Sequence, residues 1–494
     1  MNRQGAFISD FKLSQLLRAA KALFLLLSAF FFLAAMSEYK GEYYVYILFT
    51  LLSYGLLYFG FRQNAIFFDA FISVFFWLGF WLKLTIRVAF VDGNFHEPVG
   101  MFDGSGDAFD RGLLVASCGF LGLILASYIR EKYIFLYPKE IAKITQVGLF
   151  DFYYKYRGFV LSGFVLLAIF VAVSNIYLGI YQKGVIPSTY LPYGLNGVYK
   201  WLLLFGLASI SAVILRFEMA LNKKALFLGA ALGLMESFLS SVSLLSRGMV
   251  LNVSALVYGV LRSVGSSRRE IGSKFVVTIL VLLVLLFGFS VVAVNYVRAV
   301  NYGANEVAVW ETDRNDTAVL FLDRWVGIEG VLAVSSYSGL GEKLWKKAWA
   351  EKYSENETTF YDNVIITSPY KNLDKSKHHF VSMPGVLAFF FYPGSYVVLF
   401  MCMFFLGIAA SLIEKLVFYL GGKNVILCSL LGQIVAYRFA NSGYVPAQSY
   451  LLFGSLVLNV VMIYGVSKVL DFYSTQKESI ECNGIICRVF RLKK

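Results

Sequence analysis

Two kinds of side chain in this sequence suit phosphate handling and proton transfer: the cations Lys83, Arg87, Arg247, Arg298, Arg314 and Arg324, and the imidazoles His378 and His379. A guanidinium presents a planar fork of N–H donors that matches two phosphate oxygens, and a lysine adds a point charge. An imidazole with an ordinary pKa takes a proton from an attacking hydroxyl near neutral pH. Lys83 and Arg87 are four residues apart, so they share one helix face. Arg247 stands between Ser246 and Gly248, where little side-chain bulk would block a large ligand. Arg324 lies in Asp323-Arg324-Trp325-Val326-Gly327-Ile328-Glu329-Gly330, and His378-His379 come shortly before Pro384-Gly385. Together they suggest cations that clamp a phosphorylated group, with a base nearby.

Each residue also has a plainer reading. Arg247 would serve as an interfacial anchor whose head reaches the headgroups. Lys83 and Arg87 would pair with Glu236, and Arg324 with Asp323 or Glu329. His378, His379 and the distant His96 make a poor ligand set, and the acidic loop 91–111 matches no ligand motif, so no metal is expected.

The elements that must hold these groups are membrane helices. Of the 494 residues, 58% are hydrophobic and 15% charged, and the mean hydropathy is +0.67, far from a soluble composition. Apolar windows of about 20 residues, long enough to cross a bilayer core, recur near 18–36, 43–61, 65–90, 112–129, 158–181, 201–215, 225–245, 248–262, 275–297, 385–413, 424–440 and 450–467. The fold class expected is all-α, a polytopic integral membrane protein with about twelve transmembrane helices. The eighth run is short and is expected to form a tight hairpin or re-entrant pair with the seventh. The first run follows a polar stretch without a cleavage site and is read as retained. The chain then divides into membrane helices at 1–297, a polar insert at 298–384 with short surface helices, further membrane helices at 385–470, and a tail at 471–494. The apolar run after Arg324 is expected to fold back onto the membrane surface. So long an insert exceeds what connection requires.

Charge sets the orientation. Under a model with both termini cytoplasmic, the cytoplasmic segments hold well over half of the 44 Lys and Arg. The short external loops hold only Lys40, Arg111, Lys183, Lys200, Arg247 and Arg438. The insert is therefore expected outside, and the net charge of +13 is an orientation signal rather than a nucleic-acid footprint. No cytoplasmic loop has a Gly-rich phosphate motif, so neither nucleotide hydrolysis nor a sugar-nucleotide donor is expected, and no cofactor. Cys118, Cys402, Cys428, Cys482 and Cys487 are read as inert thiols. Tyr181, Tyr190 and Tyr193 in one external segment, with Trp345, Trp349, Tyr353, Tyr361 and Tyr370 in the insert, suit a sugar path, although interfaces gather such rings anyway.

Over roughly 225–470 the chain resembles the O-antigen polymerase and ligase group of bacterial membrane glycosyltransferases. The matching elements are Ser246-Arg247-Gly248 opening an apolar run, a long external loop with Arg324-Trp325 early in it, and His378-His379 ahead of Pro384-Gly385 with Tyr392-Pro393-Gly394-Ser395 beyond. Phe380 follows His379 where the family more usually has His-Asn-x-x-x-Leu, which leaves open which of the two histidines, if either, is the equivalent. The resemblance implies a GT-C-like fold in the bacterial inner membrane. The enzyme would polymerise undecaprenyl-diphosphate-linked oligosaccharide units at the periplasmic face, with inversion and without metal. Donor and acceptor would both be lipid-linked glycans, and a separate chain-length regulator is an expected partner. Arg247 and an insert arginine, Arg324 first and then Arg298 or Arg314, would hold the diphosphate, with Lys83 and Arg87 as further cations. His379 or His378 would orient or deprotonate the acceptor hydroxyl. The rivals are an O-antigen ligase, a flippase of the same lipids, an acyltransferase, and a transferase using a polyprenyl-monophosphate sugar. No duplicated halves favour a transporter.

Overall fold

The computed structural model describes residues 3–138, 144–265, 273–302, 322–323, 325–352, 358–368 and 381–491, without the side chains of some of these, Arg247 and Arg298 among them. Among the described residues the architecture is helical throughout. In chain order, the helices are α1 (Arg3–Glu38), α2 (Tyr43–Gly60), α3 (Phe67–Phe90), α4 (Gly106–Tyr133), α5 (Val147–Lys155), α6 (Arg157–Leu178), α7 (Pro192–Leu221) and α8 (Lys223–Ser243). They continue with α9 (Val250–Gly265), α10 (Ser273–Tyr302), α11 (Ile328–Ser335), α12 (Glu342–Trp349), α13 (Val386–Phe390), α14 (Tyr396–Leu420), α15 (Val425–Ala440) and α16 (Ser449–Arg491).

Ten of the helices are long and apolar enough to cross a membrane, and Val250–Ser263 and Val425–Ala440 are shorter apolar helices. Large apolar side chains face outward along them, among them Leu26, Leu166, Val284 and Val397. A water-soluble surface would not leave so much aliphatic area open. This is a multi-pass membrane protein.

Helix–helix contact in such a body relies on close backbone approach at small residues. α4 runs along α14, where Gly122 meets the backbone of Phe400 and Gly407 meets Ala126. α15 packs against both α3 and α9, and α8 against α7. Buried groups tie the end opposite the insert. Glu414 of α14 accepts from the Phe67 and Phe68 amides (2.8 and 2.9 Å) and from the Tyr137 hydroxyl (2.6 Å). A remote carboxylate thus satisfies amides that open α3 and have no partner within the helix. Nearby, Arg130 pairs with Asp69 at 2.8 Å, and Ser127 donates to the same carboxylate.

Three expectations need correction. The tenth apolar run is not one helix over 385–413. Pro393 and Gly394 (φ 74°) interrupt it, leaving the short α13 separate from α14, whose first turn the Ser395 hydroxyl caps by accepting from the Val398 amide. The apolar run after Arg324 does not lie on the membrane surface: every residue of α11 is buried, and the helix packs on α4 and α13. Finally, α10 runs on to Tyr302, so Arg298 sits on that helix rather than beyond its end.

Candidate functional site

The site is organised by two cations on α3. A π-helical stretch, Trp77–Leu82, immediately precedes Lys83, and such bulges re-aim the face that follows. Lys83 is 1% exposed and directs its ammonium to three acceptors in the insert: Asp323 O (3.3 Å), Trp325 O (2.5 Å) and Glu329 Oε1 (2.8 Å). One helical turn later, Arg87 forms an ion pair with Asp323 Oδ2. Trp325 also stacks on Phe75 at 5.7 Å. The residues on either side of position 324 are thus held from α3 by charge, backbone hydrogen bonds and ring contact.

This corrects the expected counter-ion. Glu236 accepts from Ser240 (2.8 Å) in the membrane interior, and it is Glu329 and Asp323 that neutralise Lys83 and Arg87. The same two carboxylates were the plain partners expected for Arg324. Arg314, Arg324, His378 and His379 lie outside the described residues, as do the side chains of Arg247 and Arg298. The backbone turn that carries Arg247 packs against α8, α9 and α10. Leu245 just ahead of it is buried with a left-handed backbone (φ 50°), a strained conformation for a leucine.

The far arm of the insert is fixed by two more carboxylates that sequence reasoning missed. Glu351 accepts from the Phe360 amide (2.5 Å) and from the Val445 amide (2.9 Å) in the α15–α16 loop. Asp362 Oδ2 accepts from the Thr359 hydroxyl (2.8 Å) and the Ser382 amide (3.1 Å). The Gly385 amide donates to Ser442 O at 3.1 Å, and the Gly341 amide to Tyr392 O at 2.9 Å. The chain just after the two histidines is therefore bound to the helix body. Burial lifts the Glu351 carboxyl above the usual range, and it pushes the Tyr361 and Tyr392 phenols well up.

Rings line this arm: Trp345 near Trp349 (6.2 Å), Trp349 edge-on to Phe389 (5.2 Å), and Phe389 beside Tyr392 (5.4 Å). Trp345 Nε1, Asp362 Oδ1, Ser382 Oγ and Tyr392 Oη are buried without hydrogen-bond partners. Of the expected aromatic residues, Tyr190 and Tyr193 are exposed and Tyr361 is buried, while Tyr353 and Tyr370 lie outside the described residues. The only sequence signal for Glu351 and Asp362 was that the insert carries acids as well as bases.

No family model, curated protein or solved structure matches this chain.

Proposed function

We propose that this protein is a membrane glycosyltransferase of the O-antigen polymerase type, joining undecaprenyl-diphosphate-linked oligosaccharide units at the periplasmic face where its insert lies. The observation that carries the reading is the docking of the insert. Lys83 and Arg87 lock the segment on both sides of Arg324, and Asp362 and Ser442 lock the arm that follows His379. A mere connection between two helices needs no such anchorage, whereas a catalytic surface needs its groups held in place.

In the reaction an acceptor hydroxyl attacks the anomeric carbon of the donor glycan and a new glycosidic C–O bond forms. The bond from that carbon to the lipid diphosphate breaks, and the hydroxyl proton passes to His379 or His378. Direct displacement inverts the anomeric centre. The departing diphosphate gains charge in the transition state, and Arg247 and Arg324 stabilise it there, with Arg298 and Arg314 as further candidates. Lys83 spends its protons on the insert, so Lys83 and Arg87 act in this scheme by holding Arg324 in place.

The test is a gel of surface glycolipid from the source bacterium with the gene deleted, complemented with the wild type, Arg247→Ala or Arg324→Ala. Loss of the ladder with retention of core plus one repeat is the expected outcome for the deletion and for both variants. Loss of every glycan-bearing band would instead indicate a ligase or flippase, and an unchanged ladder would exclude the whole reading. A ladder restored fully by both variants would remove the clamp.

A further inference from the structure

The turn that carries Arg247 is built against the chain's own preference. Leu245, two residues ahead of it, is fully buried with φ 50°, a backbone that a leucine disfavours. Such a residue persists only where its surroundings over-determine it, and strain of this kind gathers at functional sites. The surroundings here can be followed bond by bond. The last four carbonyls of a helix have no partner within it, and a buried one left open is costly. At the end of α8 all four are taken. Ser240 O accepts from the Leu244 amide (3.0 Å), Ser241 O from the Ser246 amide (2.9 Å) and Val242 O from the Leu245 amide (3.2 Å). The fourth, Ser243 O, accepts from the Asn175 side chain at 3.0 Å. Past the helix, Leu244 O accepts from the Lys183 amide (3.0 Å), and Met249 O from the Ser237 hydroxyl (2.7 Å).

Asn175 is the hub of this arrangement. It lies in the last turn of α6 and is 0% exposed. Its Nδ2 shares two protons among Ser243 O (3.0 Å), Ser243 Oγ (2.9 Å) and Tyr181 O (2.9 Å), while its Oδ1 accepts from the Tyr181 amide (2.9 Å). Gly179, with φ 58°, ends α6 and turns the chain back so that Tyr181 reaches that side chain. A planar amide that donates on one edge and accepts on the other fixes two segments relative to each other. The loop after α6 and the end of α8 are thus one block, joined at Asn175 and again where Lys183 meets Leu244.

We propose that Asn175 is a positioning residue for Arg247. It holds the backbone from Ser243 into the strained turn in the one orientation from which Arg247 meets the diphosphate of the lipid-linked donor. Asn175 acts through that backbone, and its effect is to have the turn ordered before the ligand arrives. The proposal rests on the diphosphate role given to Arg247 in the function proposed above.

The test measures binding of undecaprenyl diphosphate to the full-length protein in detergent by native mass spectrometry. Wild type, Asn175→Leu, Arg247→Ala and the double variant are compared, each well below its melting temperature. Each single change is expected to weaken binding about tenfold, the scale of one lost hydrogen bond to a charged group. The double variant should bind no more weakly than Arg247→Ala alone, because residues that act as a unit are not additive. Ser243→Ala removes one of the three acceptors of Asn175 and should give a smaller loss in the same direction; it carries the test if Asn175→Leu does not fold. Ser429→Ala deletes a buried hydrogen bond between α15 and α9, to Ala255 O at 2.6 Å, and should lower the melting temperature without moving the affinity. Losses that add in the double variant overturn the positioning role and leave the Arg247 clamp standing, as does unchanged affinity in both Asn175→Leu and Ser243→Ala. Unchanged affinity in Arg247→Ala removes the clamp and this role with it. Non-additive affinities beside an unchanged glycolipid ladder in the deletion strain would keep the role of Asn175 and remove the polymerase reading.

Discussion

Lys83 gives its hydrogen bonds to one stretch of chain that lies some 240 positions further along the sequence. An ion pair this deep is weak evidence for net stability, because both charges lost their water to form it. Breaking half of it is another matter. Lys83→Met leaves the Glu329 carboxylate buried and the Asp323 and Trp325 carbonyls without this donor. That variant should lose roughly 3–5 kcal/mol, seen as a melting temperature several degrees lower in detergent. Glu329→Gln should cost less, and the Lys83→Met/Glu329→Gln double variant should recover part of the loss. Strict additivity of the two single effects would mean that the pair does not couple. The spacing of Lys83 and Arg87 was legible because helical periodicity is local. Their partners were not: Glu236 lay in an apolar run like theirs, while Asp323 and Glu329 lay in a polar loop, and only the packed chain brings loop and helix together.

At the scale of elements, α11 shows how an eight-residue apolar helix escapes reading from sequence. Its length suits a surface helix, and its composition suits a core. Glycine decides in favour of the core. A Cβ on Gly330 would come 1.9 Å from Pro384 O, and one on Gly327 would come 2.0 Å from Gly79 O, so the backbones touch. Overpacking of this kind typically costs about 1–3 kcal/mol. Gly330→Ala is therefore expected to lower the melting temperature and to loosen the insert, making it more sensitive to protease. Gly288→Ala is the control: it sits within α10 with nothing near its Cβ and should be neutral or slightly stabilising. Equal protease resistance in Gly330→Ala and wild type would show that α11 does not hold the insert. The long helices were legible because a bilayer imposes both their length and their composition. The split between α13 and α14 was less so, since apolar residues flank Pro393-Gly394 on both sides and mask the break.

At the scale of the whole molecule, the body has two chemically different ends. One is closed by buried carboxylates and short basic turns, with Arg130, Asp69 and Glu414 locking α3, α4 and α14 together. The other carries the insert and its rings. The Lys and Arg bias among the loops leads us to expect the first end in the cytoplasm, and the proposed chemistry depends on that placement, because the proposal has a lipid-linked glycan polymerised at the insert end. Lys346 on α12 is well exposed at the insert end, and Lys132 is exposed near the opposite end of α4. With the native cysteines replaced by serine, Lys346→Cys should react with a membrane-impermeant maleimide in intact cells whose outer membrane has been opened. Lys132→Cys should react only after the inner membrane is broken. The reverse pattern would turn the molecule over and put the insert in the cytoplasm, away from any periplasmic acceptor. The polymerase reading would then fail, although the ion pairs that dock the insert would be untouched.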